Sequence, residues 1–243
     1  MSINTTLNYS PNFDKKKRKF KQIKFIIFHY TGMKNEKDAI KRLTENKSKV
    51  SSHYFIKNNG EIINLVPDLY VSWHAGVSSW KNYSSINKYS IGIEISNPGH
   101  SNNYKKYTKK QINSILKLSH FLKKKYKIKS KFILGHSDIS PNRKKDPGEK
   151  FPWKYLAKSK IGIWYNLPKK YLKFEDIEVS KKNKRLFNLY LKQIGYCLIN
   201  KKGKNSKSVI KAFQRRFRSK IINGKIDNEC LEIAKNLIKR GLN

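Results

Sequence analysis

Two histidines and one aspartate are spaced along the chain so that they could share a metal ion. His29 directly follows the apolar run 25–28, and His136 directly follows the run 132–135. Both runs are predicted strands, and an α/β sheet usually presents its ligands at strand ends. Asp146 comes ten residues after His136, with a proline between them that forces a turn, so the loop can fold back. Two histidines, one carboxylate and a free fourth position are typical of catalytic rather than structural zinc.

Glu94 is the candidate acid or base for a reaction at that metal. In the predicted strand 90–96, the two-residue period puts the isoleucines on one face and Glu94 on the other. A carboxylate in so apolar a strand costs free energy unless it is paired or functional, so a strand-edge salt bridge and catalysis are the two alternatives. Zinc lowers the pKa of a bound water to about 7 and polarises the carbonyl under attack, which is the chemistry of hydrolysis.

The other polar candidates are weaker. A histidine at a strand end is often a hydrogen-bonded packing residue, but only His29 and His136 combine this position with a carboxylate on a nearby loop. We assign the remaining histidines as follows: His53 and His74 to structural or substrate-contacting roles, and His100 and His120 to the solvent. Lys144 gives no signal by itself, because lysine is frequent throughout the chain.

The elements that must position these residues alternate along the chain. Apolar runs predict strands at 25–28, 90–95 and 131–135, and a hairpin with an Asn-Gly turn at 53–66. Amphipathic periodicity predicts helices at 36–47 and 108–126, and only helical stripes follow residue 186. This order indicates an α/β sheet domain followed by a small helical one. Its predicted parts are a polar, solvated lead-in at 1–20, a catalytic domain at 21–167, a linker at 168–184 and a helical domain at 185–243.

Charge and composition narrow the choice of partner and compartment. The net charge of +39 attracts polyanions, but the lysines are spread evenly, which favours general affinity over a dedicated nucleic-acid site. No apolar run approaches the roughly 18–20 residues of a membrane span. The first residues have no signal-peptide pattern, which predicts a cytoplasmic protein, with a periplasmic or wall-associated one as the alternative. Cys197 and Cys230 are expected to pack rather than to form a disulfide.

Five segments of the chain resemble the AmpD/AmiD-type N-acetylmuramoyl-L-alanine amidases, bacterial relatives of the peptidoglycan recognition proteins. They occur in the family's order, and the last one, with its continuation FPW at 151–153, is the longest and most specific. The segments are FHYTGM at 28–33, VSSHY at 50–54, WHAG at 73–76, SIGIE at 90–94 and GHSDISPNRKKDPG at 135–148. The resemblance implies a mixed central β-sheet flanked by helices.

The resemblance also implies a role for each candidate. It makes His29, His136 and Asp146 the zinc ligands, which is the trio reached from their placement alone. It makes Glu94 the acid/base that carries a proton from the metal-bound water to the leaving amine, and Lys144 a cation beside the oxyanion. The expected contacts to substrate are Trp73, His74 and Asn97.

The C-terminal part is similar to a small three-helix peptidoglycan-binding module. The likeness rests on YLKQIGY at 190–196, VIKAFQRRF at 209–217 and NGKID at 223–227, and an unrelated helical extension is the alternative. A module that binds wall polymer would raise the substrate concentration at the catalytic domain. The free carboxylates of peptidoglycan stems would also suit a cationic surface.

The sequence therefore predicts a zinc-dependent amidase that cleaves the amide between the muramic acid lactyl group and L-alanine. A non-catalytic peptidoglycan-recognition protein is the first alternative, although such proteins usually lack a metal ligand and all three are present here. A nucleic-acid-binding protein is the second, suggested by charge alone. Intact sacculus and small anhydro-muropeptide both remain open as substrate, and a monomer is expected.

Overall fold

A computed structural model describes residues 3–172, 177–197 and 207–240 of the chain. The other parts of the predicted lead-in, linker and helical domain (1–2, 173–176, 198–206 and 241–243) lie outside the described residues. The strands are β1 (Thr6–Leu7), β2 (Phe13–Asp14), β3 (Phe25–Tyr30), β4 (Tyr54–Ile56), β5 (Ile62–Asn64), β6 (Val71–Ser72), β7 (Ser79–Trp80), β8 (Tyr83–Ser84), β9 (Ser90–Ile95) and β10 (Ile133–Gly135). The helices are α1 (Glu36–Thr44), α2 (Lys109–Tyr126), α3 (His136–Ile139), α4 (Trp153–Lys158), α5 (Lys181–Ile194), α6 (Lys207–Phe217) and α7 (Asn228–Lys239).

The centre of the fold is a six-stranded mixed sheet in the order β1-β5-β4-β9-β3-β10. β4 and β5 form the predicted antiparallel hairpin, and every other neighbouring pair in this sheet is parallel. The strands β3, β9 and β10 are buried almost throughout, as expected for apolar runs at the centre of a sheet that is covered on both faces. The predicted α/β class with a mixed central sheet is confirmed.

Each face of the sheet is covered by a different layer. On one face the isoleucines of β9 pack in a common core with Ile115, Leu118 and Leu122 of α2. A capping box between Thr108 and Gln111 begins this helix by satisfying backbone N–H groups of its first turn. On the other face, apolar residues of β3 and β10 share a core with α5, α6 and α7, among them Phe25, Ile27, Phe187 and Phe213. The helical C-terminal part is therefore packed onto the sheet by apolar burial.

Most residues of the lead-in at 3–20 are exposed, as its polar composition predicts, but the segment is also attached to the sheets. Thr6 pairs with Ile63 as β1 adds to the sheet, and β2 pairs with β6. Arg18 is buried, and its guanidinium donates to the backbone oxygens of Asp68 at 2.7 Å and Ser90 at 2.8 Å. A guanidinium can enter the interior when carbonyl groups satisfy its donors, so the polar run at 15–19 did not reveal the burial of Arg18.

Other predicted elements differ from the structure only in the residues at which they begin or end. The predicted helix at 36–47 ends as α1 at Thr44, and residues 130–132 form a 3-10 turn before β10 begins. The last helical part begins at Lys181, inside the predicted linker. Cys197 and Cys230 are free thiols, as their spacing predicted. Within the described residues, no helix is long and apolar enough to span a membrane.

Candidate active site

The three predicted metal ligands meet at the carboxyl end of the central strands. His29 Nδ1 lies 2.9 Å from His136 Nδ1 and 3.1 Å from Asp146 Oδ2, and His136 Nδ1 lies 3.0 Å from the same oxygen. β3 carries His29, and the parallel strand β10 delivers His136 at the start of α3. The loop folds back as expected, because the Ser137 N–H donates to the backbone oxygen of Asp146 at 2.8 Å. All three side chains are buried.

The hydrogen bonds around His136 show which of its nitrogens is free to bind a cation. Nε2 lies 3.1 Å from the backbone oxygen of Ala75, and a carbonyl oxygen can only accept. The ring therefore donates from Nε2, and in the neutral imidazole its Nδ1 carries a lone pair. That lone pair points at Asp146 and His29.

A chain of hydrogen bonds fixes the tautomer of His29 in the same way. Ser90 Oγ donates to the backbone oxygen of Ile86 at 2.8 Å, so it accepts from His74 Nε2 at 2.9 Å. His74 Nδ1 is then an acceptor, and His29 Nε2 donates to it at 2.9 Å. His29 Nδ1 is left with its lone pair toward Asp146. The close approach of His74 to β9 requires Gly92, since a Cβ there would lie 2.4 Å from Cγ of the His74 ring.

Two imidazole lone pairs and a carboxylate oxygen thus converge within about 3 Å of one another. These electron-rich atoms repel one another unless a cation is bound between them. Atoms that share a zinc ion at about 2 Å lie at most about 4 Å apart, so the spacing fits zinc. Burial, and then the proximity of His136, lower the pKa of His29 to about 4, which keeps the ring neutral. Burial alone would raise the pKa of Asp146, but His136 and His29 hold it well below its usual range.

Glu94 stands next to this centre. It is the register partner of His29 on the adjacent strand β9, so the two side chains leave the same face of the sheet. Burial, reinforced by the nearby charge of Asp146 and opposed by that of Lys144, raises the pKa of Glu94 to about 8. Its Oε2 is buried without a hydrogen-bond partner among the described residues. These features exclude a strand-edge salt bridge and leave a carboxyl poised to exchange protons near neutral pH.

A cavity of about 530 Å³ is lined by His136 and Asp146 and by most of the other candidates. Glu94, Lys144, Trp73 and His74 all line it. The indole N–H of Trp73 donates to Asp14 Oδ1 at 2.7 Å, which fixes the ring at the cavity wall. The cavity therefore offers a buried carboxyl, an ammonium group and an aromatic surface around one candidate metal site.

Two sequence expectations do not fit this arrangement. Asn97 does not line the cavity: it is buried, its amide donates to the backbone oxygen of Lys105, and it accepts from the Gly99 N–H. The prediction of a solvated His100 was wrong, because its ring lies 2.8 Å from the Tyr30 hydroxyl and 2.9 Å from Glu149 Oε2. These partners are distant in sequence, so no local pattern reveals them.

Sequence reasoning missed some residues that shape the site. Arg143 donates to the backbone oxygens of Ala75 at 3.0 Å and Val77 at 2.7 Å and so holds the segment that also accepts from His136. Asp138, which lies two residues after His136, forms a buried ion pair with Arg216. One signal for Arg216 was present in the sequence: it lies seven residues after Val209, on the apolar stripe of α6.

Comparison with known proteins agrees with this geometry. A family profile described as N-acetylmuramoyl-L-alanine amidase matches residues 19–149. N-acetylmuramoyl-L-alanine amidase AmiD of Escherichia coli is 32% identical over 236 residues, which cover 91% of this chain and 84% of the relative. 1,6-anhydro-N-acetylmuramyl-L-alanine amidase AmpD of Haemophilus influenzae is 33% identical over 62% of this chain and 90% of its own. The structure of Escherichia coli AmiD with anhydro-N-acetylmuramic acid-L-Ala-D-gamma-Glu-L-Lys superimposes with a TM-score of 0.80 and 31% identity, covering 94% of this chain and 93% of that one.

Proposed function

Because this chain belongs to the N-acetylmuramoyl-L-alanine amidase family, we propose that His29, His136 and Asp146 hold its catalytic zinc ion. The chain is an amidase that hydrolyses the amide between the lactyl group of N-acetylmuramic acid and L-alanine. Zinc dependence is general in this family. The convergence of three lone-pair atoms at about 3 Å is the observation that carries the proposed metal site.

Glu94 is the proposed acid/base. When bound, zinc supplies an acidified water and polarises the scissile carbonyl. Glu94 takes a proton from the attacking water as the water oxygen bonds to the lactyl carbonyl carbon. It then gives the proton to the nitrogen of L-alanine as the C–N bond breaks, releasing a lactyl carboxylate and a peptide with a free amino terminus. A pKa raised by burial toward the working pH suits both transfers.

Lys144 is the proposed partner of the developing oxyanion. It lines the same cavity as Glu94 and Asp146, and its ammonium group brings positive charge to the place where negative charge develops on the carbonyl oxygen. Trp73 is proposed to contact the sugar or stem peptide through its ring. His74 lines the cavity but is bonded on both ring nitrogens, so we propose that it acts mainly through His29, and we assign no direct contact to Asn97.

The substrate proposed is a peptidoglycan fragment, that is, a muropeptide. The C-terminal helices are proposed as a peptidoglycan-binding module that acts with the catalytic domain in one monomeric chain. The net charge of +39 supports this partner, since stem peptides carry free carboxylates. The cytoplasmic location, with the periplasm or the wall as its alternative, stays a prediction.

Product analysis tests the proposal. N-acetylmuramoyl-tripeptide is incubated with the zinc-loaded protein, and the products are separated and weighed by mass spectrometry. We expect free N-acetylmuramic acid and a tripeptide with an L-alanine amino terminus, and formation of both should be abolished by a chelator and restored by zinc. Tight binding without any cleavage would instead identify a peptidoglycan-recognition protein and refute the catalytic proposal. Parallel incubation with intact sacculus and with anhydro-muropeptide distinguishes the two substrate classes.

A further inference from the structure

The carboxylate of Asp138 joins the metal centre to the C-terminal helices. Asp138 lies in α3, two residues after His136, and is 2% exposed. Its Oδ1 accepts from the Tyr196 hydroxyl at 2.6 Å, and its Oδ2 accepts from Arg216 Nη1 at 2.5 Å. Tyr196 lies just after the end of α5 and Arg216 lies in α6, so both donors come from the C-terminal helical part of the chain.

The same carboxylate also holds the backbone that carries His136. Asp138 Oδ2 accepts from the Gly135 N–H at 2.8 Å, and Gly135 is the last residue of β10. The carboxylate therefore bridges the residue before His136 and the helical turn after it. Any movement of the carboxylate shifts the turn that aims His136 Nδ1 at its partners.

Arg216 is itself fixed in one orientation. Its Nη2 donates to the backbone oxygen of Ile133 in β10 at 3.1 Å, and its guanidinium carbon lies 4.1 Å above the ring of Trp153. The Arg216 side chain is 2% exposed, and its ion pair with Asp138 is shielded from solvent. A planar guanidinium that donates to two fixed acceptors holds the Asp138 carboxylate in place more firmly than a flexible ammonium group would.

We propose that the C-terminal helices are a positioning element of the metal centre, in which Arg216 and Tyr196 hold Asp138 and thereby orient His136. The inference rests on the proposed role of His136 as a zinc ligand. These helices would then have a function besides wall binding. They would act on the catalytic domain through a packed interface and not only by tethering it to the wall. Outer-shell partners that orient a ligand typically change metal affinity by about 10–100-fold when they are lost.

Zinc affinity of the folded full chain tests the proposal. Tyr196→Phe removes one hydroxyl and leaves the ring packed against Trp80. Arg216→Lys keeps the charge, but its ammonium group lacks the planar geometry that lets the guanidinium donate to Asp138 and Ile133 together. Dissociation constants are measured by competition with a chromophoric chelator, well below the melting temperature of each variant. We expect zinc to bind about 10-fold more weakly to Arg216→Lys than to the wild type. The loss of zinc affinity in Tyr196→Phe should be smaller.

A matched control separates positioning from general stability. Ile233→Ala opens a cavity in the core shared by the C-terminal helices and lowers the melting temperature. We expect it to bind zinc as the wild type does. Unchanged zinc affinity in both Arg216→Lys and Tyr196→Phe, or an equal loss in Ile233→Ala, would overturn the positioning role while leaving the metal site intact. A wild-type chain that binds no zinc would refute the proposed metal centre itself.

Discussion

His29 and Glu94 are direct register partners on the adjacent parallel strands β3 and β9. Side chains at paired positions leave the same face of a sheet, about 5 Å apart at their Cβ atoms. The sheet itself therefore sets the distance between the proposed metal ligand and the proposed acid/base. Rigid strands hold such a pair more firmly than loops do, which favours a fixed path for the proton.

Replacement of Glu94 should separate chemistry from metal binding. We expect Glu94→Gln to lower kcat by about 10²–10⁴-fold, because the amide cannot accept a proton from water. Zinc content should stay at the wild-type level, since Glu94 is not one of the three converging ligands. Glu61→Gln, which removes a partly exposed partner of Lys57 outside the cavity, is the control and should keep full activity. Full activity in Glu94→Gln would remove Glu94 from the mechanism.

His74 should control zinc affinity through the tautomer of His29. In His74→Leu the His29 Nε2–H loses its acceptor, and we expect zinc to bind about 10–100-fold more weakly. In His74→Asn the side-chain oxygen takes the place of Nδ1, so most of the affinity should return. Calorimetric zinc titration measures both variants.

A cavity histidine that does not touch a ligand is the control for His74. His100→Leu removes a ring that is bonded to Tyr30 and Glu149, and zinc affinity should be unchanged. If His74→Leu binds zinc like the wild type but raises KM, His74 contacts the substrate instead.

Lys144 and its neighbour Lys145 both line the cavity and form a matched pair. We expect Lys144→Met to lower kcat by about 10²–10³-fold, the usual cost of losing one donor to an oxyanion. Lys145→Met removes the same charge one residue away and should leave kcat nearly unchanged. Steady-state kinetics on a muropeptide provide the measurement. Equal losses in both variants would indicate general electrostatic attraction of substrate rather than a specific role for Lys144.

His53 should make the metal-free fold sensitive to acid. Its Nδ1 accepts from the Gly92 N–H, and burial, together with the positive charge of Arg18, lowers the pKa of the ring to about 3. The unfolded chain binds this proton near pH 6.5, so the contribution to stability is complete above that pH and is lost as the pH falls toward 3.

Urea unfolding at pH 7 and pH 5 measures the contribution of His53. Between these values the free energy of unfolding should fall by about 2 kcal/mol less in His53→Gln than in the wild type. His120→Gln, at an exposed position, should follow the wild type. An equal fall in His53→Gln and the wild type would contradict a neutral buried ring.

The sequence predicted the centre of the fold and the meeting of His29, His136 and Asp146, because these depend on local patterns. Uninterrupted apolar runs identify β3, β9 and β10, and His29 and His136 follow from where those runs end. The strand β1 could not be predicted in this way, because two residues show no periodicity and their partner in β5 lies 57 residues away. The contacts of His100 and the hydrogen bond from Arg216 to Asp138 likewise join segments that are distant in sequence.

Anomalous scattering at the zinc absorption edge, from crystals grown with zinc, would locate the metal ion itself. We expect a single strong peak about 2 Å from Nδ1 of His29, Nδ1 of His136 and Oδ2 of Asp146. We also expect this peak to disappear in crystals of His136→Ala. A peak at other residues, or none in zinc-loaded wild-type crystals, would contradict a shared metal ion at this site.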